Sequence, residues 1–309
     1  MGVVYVKLWT YLPFFLLFIM IHAETTAQPA QPYVYFFAHG LADTHQQAFR
    51  LADWYVNLQG IVIRNIRHTL GHPLVTFDFP DSKLWQPTDE RYIPFRQKWR
   101  HLVKGNYSQT SFGQENEIAR LHEVYISKIK PDEQVIAGGV SRGASILIPY
   151  LAIHKPSNIA AAVLESPFDS MHSVVTKIRE KVSKYVSVSD DQAHTILEYW
   201  FSKYKRNGIR PIDFVDGVST DIPLLIICAK TDVLVPYESS IKLYNAFRAH
   251  GHTKAHILVL NKGRHGFLLN GEDGDKYEQV THAFYKQYDL PHNPELAQKG
   301  YADFTKTQP

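Results

Sequence analysis

The stretch Gln134-Val135-Ile136-Ala137-Gly138-Gly139-Val140-Ser141-Arg142-Gly143-Ala144-Ser145 writes G-x-S-x-G between an apolar, β-branched run and a helix-like one. In that setting the pattern describes a serine where a strand turns sharply into a helix, held in strained backbone geometry with its hydroxyl lifted above the sheet edge. Gly139 and Gly143 are the small residues that let strand and helix approach. The helix N-terminus behind Ser141 offers unpaired N–H groups to a developing negative charge, as a nucleophile's site requires. Such a short pattern also arises by chance in a chain with 17 glycines, so the reading rests on what surrounds it.

Outward from this turn, strand-like runs alternate with helix-like ones. The strand candidates are Tyr33 to Ala38, Leu74 to Phe77, Gln134 to Ala137, Ile159 to Leu164, Leu224 to Ala229 and His256 to Leu260. Helical patterns fall at about Thr44 to Gln59, Glu115 to Ile129, Ser141 to His154, Glu238 to His250 and Asp275 to Tyr288. Most strand runs are apolar rather than alternating, as expected for strands covered on both faces, so the expected fold class is α/β with a mostly parallel sheet and flanking helices.

In such sheets ligands bind beyond the carboxyl ends of the strands. Leu224 to Ala229 is followed by Lys230-Thr231-Asp232-Val233-Leu234-Val235-Pro236, and His256 to Leu260 by Asn261-Lys262-Gly263-Arg264-His265-Gly266-Phe267. An acid and a histidine thus stand at strand ends, in the chain order Ser141, Asp232, His265. A serine hydroxyl is too weak an acid to attack unaided near neutral pH, so an imidazole must take its proton and later hand it to the leaving group. His265 is the candidate base. Asp232 is the candidate carboxylate that fixes the imidazole's tautomer and stabilises the imidazolium. Taken singly, a loop Asp is usually a turn or cap residue and a His is usually solvated or structural; the coincidence of three carries the reading. Glu165 and Asp169, after the strand ending at Leu164, compete for the acid role.

The oxyanion donors expected are the backbone N–H of Arg142, next to the nucleophile, and that of Leu41, in the loop Ala38-His39-Gly40-Leu41. Both are main-chain groups, so those side chains are weakly diagnostic. His39 reads as a loop-orienting histidine ahead of a second base or a metal ligand. No metal-binding spacing stands out among the 16 histidines, and neither metal nor cofactor is expected.

Composition narrows the partners. With 33 Lys+Arg against 30 Asp+Glu and no basic block, the charge balance of +3 excludes a surface built to neutralise phosphates, so nucleic acid is not an expected partner. At 309 residues the chain is long enough for one large domain with an insertion. Residues 1–27 read as a signal peptide: Lys7, then Leu8 to Ile21 without a charge, then exits after Ala23 or Ala27. Val3 to Ile21 is also long enough for an N-terminal membrane anchor if Lys7 snorkels, so membrane association through this segment is the second reading. Either way the expected location is secreted, periplasmic or otherwise extracytoplasmic. The single cysteine, Cys228, allows no intramolecular disulfide and sits in an apolar run, as a buried thiol would. Asn106-Tyr107-Ser108 is a glycosylation sequon.

At these residues the chain resembles the α/β-hydrolase superfamily over about Tyr33 to Leu290. His39-Gly40 matches the oxyanion loop, Phe77-Asp78-Phe79-Pro80 the segment after the next strand, and Gly139 to Gly143 the nucleophile elbow. Asp232 with Leu234-Val235-Pro236 and Gly263 to Phe267 match the acid and histidine loops. The tone of these pieces is closest to the prolyl-oligopeptidase-like and serine-aminopeptidase-like branches and their esterase relatives. Two departures stand out: one glycine where some esterases carry a run, and Asp78-Phe79-Pro80-Asp81-Ser82 where the family usually has Asp-x-x-Gly-x-Gly.

The resemblance implies an α/β-hydrolase domain over residues 28–309 with a helical cap insertion at about 168–221, between Phe168 and Asp221. That insertion carries Ile178, Val182, Tyr185, Val186, Tyr199, Trp200, Phe201 and Tyr204, which either line a substrate pocket or glue the cap to the main domain. The stretch Lys83 to Gly113 is the other candidate for substrate choice. The expected activity is that of a serine hydrolase acting on small-molecule esters or peptides through an acyl-enzyme on Ser141. Acyl esters are slightly favoured, because no run reads as a second domain that screens polypeptides. Acyl transfer to an alcohol or amine is a variant of that chemistry, and the alternative from another class is a noncatalytic ligand- or partner-binding protein of the same fold.

Overall fold

Strands covered on both faces favour apolar residues, and the six runs of the main sheet supply them at most positions, with Thr76, Gln134, Glu165 and His256 as polar exceptions. The structure is a computed structural model that describes residues 33–40, 55–56, 62–63, 72–77, 79, 115–183, 185, 187–201 and 203–307. The predicted signal or anchor segment, Leu41, Asp78, the sequon and Lys83 to Gly113 lie outside the described residues.

The strands are β1 (Tyr33–Ala38), β2 (Tyr55–Val56), β3 (Val62–Ile63), β4 (Leu74–Thr76), β5 (Gln134–Val140), β6 (Ile159–Glu165), β7 (Leu224–Ala229) and β8 (Ala255–Leu260). Six of them form one sheet in the order β4-β1-β5-β6-β7-β8, with every neighbouring pair parallel. The helices are α1 (Glu115–Lys128), α2 (Arg142–His154), α3 (Met171–Val182), α4 (Asp190–Trp200), α5 (Tyr237–Ala249), α6 (Gly274–Gln287) and α7 (Pro294–Phe304).

Alternation along each strand sends side chains to two cores. Val34, Phe36, Val135, Ala137 and Ile226 pack with Leu121, Leu147 and Phe247 of α1, α2 and α5. Tyr35, Ile136, Val163, Leu225 and Ile227 pack with Val280, Phe284 and Phe304 of α6 and α7. Each such side chain, fully removed from water, contributes about 1.5–3 kcal/mol before entropy is counted. The α/β architecture with a mostly parallel sheet is therefore as the apolar runs imply.

One expectation fails. Tyr55–Val56, at the end of the predicted helix Thr44 to Gln59, is a strand paired antiparallel with Val62–Ile63. Aromatic and β-branched residues suit strand pairing, and here that preference overrides the helical period. The rest of that predicted helix lies outside the described residues. A further helix, α7, falls beyond Leu290, where the resemblance ended; Asn293 caps it with its side-chain oxygen and Pro294 opens it.

The segment between Phe168 and Asp221 is helical. α3 is capped by Ser170, α4 by a capping box of Ser189 and Gln192, and a 3-10 turn spans Pro211–Gly217. Its aromatics divide: Tyr204 is buried and bonded through its hydroxyl to His194, whereas Tyr185 and Tyr199 are exposed.

Candidate active site

Ser141 stands between β5 and α2 with φ 55° and ψ −115°, a region that side chains other than glycine rarely enter. The turn closes this tightly because two positions carry no Cβ. A methyl group at Gly143 would stand 2.0 Å from the Ala38 carbonyl oxygen, and one at Gly139 would stand 2.6 Å from the Ala144 nitrogen. The Ser141 N–H donates to the Glu165 carbonyl at 2.7 Å, tying the turn to the end of β6. Ser145 braces it from inside α2, donating to the Ser141 carbonyl and accepting the Phe168 N–H, both at 2.9 Å. The Ser141 side chain does not cap α2. It is committed elsewhere.

That commitment is to His265, whose Nε2 lies 2.9 Å from the Ser141 hydroxyl. The other ring nitrogen, Nδ1, lies 2.7 Å from Asp232 Oδ2. An ionised carboxylate can only accept, so Nδ1 carries the proton and Nε2 is left as acceptor for the serine O–H. The three residues assigned from the sequence are thus brought into one hydrogen-bonded row.

The row is fixed by its loops. Asp232 follows β7 and is buried, and its Oδ1 accepts the N–H groups of Leu234 and Val235 at 2.9 and 3.0 Å, folding the loop into an Asx turn. Its Oδ2 also accepts the Ser166 hydroxyl at 3.0 Å. Burial pushes the Asp232 carboxyl up, but the hydrogen bond and charge of His265 and the two N–H donors outweigh it and hold it below the usual carboxylate range. The Thr231 hydroxyl donates to the Gly263 carbonyl and accepts the Gly263 N–H, both at 2.9 Å, clamping the acid loop to the histidine loop.

β6 lies between β5 and β7, so its end forms the floor under the row. Ser166 occupies that end with φ 48°, its N–H on the Ile227 carbonyl and its hydroxyl on Asp232. Sequence reading passed over it, although its place directly after a strand was a usable signal. The acid competitors are engaged elsewhere. Asp169 accepts the Ser173 hydroxyl at 2.6 Å and also bonds Ser239 at the start of α5. Glu165 accepts the Tyr277 hydroxyl at 3.2 Å and the Leu268 N–H at 3.5 Å.

Burial pushes the Glu165 carboxyl up to about 6 from an ordinary 4.5, against the lowering pull of the Leu268 N–H, His265 and Tyr277. Between those two pH values the folded chain keeps a proton that the unfolded chain has released. Stability therefore falls as pH rises through that window and stays lower above it. The cost is roughly 2 kcal/mol at about 1.4 kcal/mol per pKa unit. Glu165→Gln is expected to lose this dependence. Urea denaturation of both proteins from pH 4.5 to 7 checks it, and parallel curves would refute it.

On the oxyanion side, Arg142 opens α2, so its main-chain N–H belongs to the uncapped first turn. Leu41 lies outside the described residues, but His39 and Gly40 before it are described. The Phe79 N–H donates to His39 Nε2 at 3.4 Å, so Nδ1 holds the proton and donates to the Gly40 carbonyl at 2.7 Å. His39 is therefore a loop-orienting residue. The Arg142 side chain, set aside as undiagnostic, is buried and paired at 3.0 Å with the equally buried Glu117 of α1. Nothing in residue spacing couples positions 117 and 142; only the packing of α1 beside the elbow does. Cys228 is buried in β7, and burial pushes its thiol up to about 12, which leaves it unreactive.

Comparison with known proteins agrees with this architecture. The sequence model of the prolyl oligopeptidase family (Peptidase_S9) matches residues 95–289. No curated protein is similar enough to be matched. Among solved structures, the esterase Pf2001 of Pyrococcus furiosus is similar with a TM-score of 0.52 and 13% identity, over 83% of each chain. The acylaminoacyl peptidase of Pyrococcus horikoshii is similar with a TM-score of 0.54 and 14% identity, over 90% of this chain and 40% of that one. At such identities the likeness is one of fold.

Proposed function

The chain belongs to the prolyl oligopeptidase family and is a serine hydrolase, and from that premise we propose that it cleaves acyl esters or peptide bonds through an acyl-enzyme on Ser141. The observation that carries the proposal is the unbroken row of two short hydrogen bonds, Asp232 to His265 and His265 to Ser141.

Each step follows from that geometry. His265 Nε2 takes the Ser141 proton as the serine oxygen bonds to the substrate carbonyl carbon, and the imidazolium is stabilised by the Asp232 carboxylate on Nδ1. The carbonyl oxygen becomes an oxyanion that accepts from the Arg142 N–H and from the N–H at position 41. Collapse of the tetrahedral intermediate breaks the bond to the alcohol or amine, which leaves with the proton from His265. Water then repeats the sequence on the acyl-enzyme and frees the acid and Ser141. The segment at about 168–221 acts as a cap that keeps bulk water from the acyl-enzyme.

Short p-nitrophenyl esters, aminoacyl p-nitroanilides and a fluorophosphonate probe test the reading together. One substrate class is expected to turn over and the probe to label one site. A folded chain that hydrolyses neither class and never labels would refute the proposal in favour of a noncatalytic binding role.

A further inference from the structure

The end of β6 places two consecutive residues against the catalytic row. The Glu165 carbonyl accepts the Ser141 N–H at 2.7 Å, and one residue later the Ser166 N–H donates to the Ile227 carbonyl of β7, also at 2.7 Å. At Ser166 the backbone turns left-handed, with φ 48°. Glycine enters that region without steric cost and serine does not, so the backbone alone gives no reason for a side chain here. What the side chain does is specific: its hydroxyl, in a residue only 1% exposed, lies 3.0 Å from Asp232 Oδ2. An ionised carboxylate only accepts, so the O–H donates to the same oxygen that takes the His265 Nδ1–H at 2.7 Å. The other oxygen, Oδ1, is filled by the loop's own N–H groups at Leu234 and Val235.

We propose that Ser166 is a positioning residue whose hydroxyl holds Asp232 Oδ2 in line with the imidazole while the charge on His265 changes. This rests on the hydrolase reading above. The terminal torsion of an aspartate is broad, so the donors on Oδ1 restrain the carboxylate plane at one corner only. His265, the other partner of Oδ2, gains a proton from Ser141 during turnover and loses it to the leaving group, so its pull on Oδ2 strengthens and relaxes. The Ser166 hydroxyl is neutral and remains a donor in both states. Its strained backbone is also of the kind that persists only where surrounding contacts hold it, here the Ile227 carbonyl and the carboxylate itself. Two effects oppose each other. A second donor draws charge from Oδ2 and weakens its grip on the imidazolium, whereas a fixed Oδ2 keeps the proton on Nδ1 and leaves Nε2 facing Ser141. The distances decide between them: the imidazole makes the shorter bond, 2.7 against 3.0 Å, so it keeps the stronger share of that oxygen and alignment is what the hydroxyl adds. Ser166 acts only through Asp232.

Ser166→Ala and Ser166→Gly test this together, because both remove the hydroxyl while alanine keeps the Cβ on the left-handed backbone and glycine relieves it. Thermal melting establishes that each folds, and the p-nitrophenyl ester or aminoacyl anilide that the wild type turns over gives kcat and KM. Both variants are expected to lose ~5- to 50-fold in kcat, with KM changed by less than about twofold, as for one hydrogen bond to a charged group that acts on the chemical step. The rate of fluorophosphonate labelling, which needs the same row, should fall by the same factor. In an Asp232→Asn background, adding Ser166→Ala should lower kcat by less than about twofold, because the hydroxyl has no carboxylate left to align; a purely structural role would give the same loss in both backgrounds.

Folded variants with unchanged or raised kcat, a loss confined to KM, a loss in only one of the two variants, or an undiminished loss beside Asp232→Asn would each overturn the proposal. If one variant does not fold, the other decides; if neither folds, the hydroxyl is a structural group and the proposal is overturned. Wild-type protein without any turnover would overturn the hydrolase reading and this inference with it, whereas an active wild type with unaffected variants overturns this inference alone.

Discussion

Ser141→Ala is expected to yield a folded protein that a fluorophosphonate no longer labels and whose turnover is lower by ~10⁴- to 10⁶-fold, the range found when the nucleophile of a triad is removed. The size follows from losing covalent chemistry altogether. Without the hydroxyl at Nε2 of His265, only water can attack, unaided by a positioned nucleophile. Folding should survive, because alanine keeps the Cβ that the φ 55° backbone already tolerates, and the N–H to Glu165 is a main-chain bond. The result is read by labelling, turnover and melting temperature on the same sample. Persistent labelling in a folded Ser141→Ala protein would place the nucleophile elsewhere and remove the basis of the mechanism.

Asp232→Asn should reduce kcat by ~10³- to 10⁴-fold, since an amide at this position favours the wrong imidazole tautomer. The carboxylate accepts four donors: His265 Nδ1–H, the Ser166 hydroxyl and the N–H groups of Leu234 and Val235. An asparagine can keep its oxygen on the two backbone donors, which turns its NH₂ toward His265. The ring must then accept at Nδ1 and carry its proton at Nε2, where it cannot take one from Ser141. Glu165→Gln is the matched control, because that carboxyl is close to the row yet bonded to Tyr277 and Leu268. Its effect on kcat should be less than about tenfold. Equal losses in the two variants would move the acid role away from Asp232.

Much of this was legible in the chain because the signals are local. A parallel sheet covered on both faces demands apolar runs, and the five-residue elbow demands glycine two places either side of the serine. Gly143 shows why: the Ala38 carbonyl occupies the space its Cβ would need. The end of the helix predicted at Thr44 to Gln59 was misread because Tyr55 and Val56 suit either period, and the partner that decides, Val62–Ile63, lies outside any helical window. The α7 helix was missed because the resemblance stopped before it, although Asn293-Pro294 is a readable start.

By itself, then, the amino-acid order determined most of the strand and helix succession, the elbow, and the identity of the three groups at the strand ends, since each depends on residues within one turn or one strand. Tertiary structure alone decided which acid meets His265, that Ser166 and Thr231 steady the loops, and that Arg142 is held by Glu117 and reaches Gly40. The physical reason is separation. Glu117 is 25 positions from Arg142, and Gly40 is 102 positions from it, so their hydrogen bonds exist only once the sheet has brought the ends of β1 and β5 together.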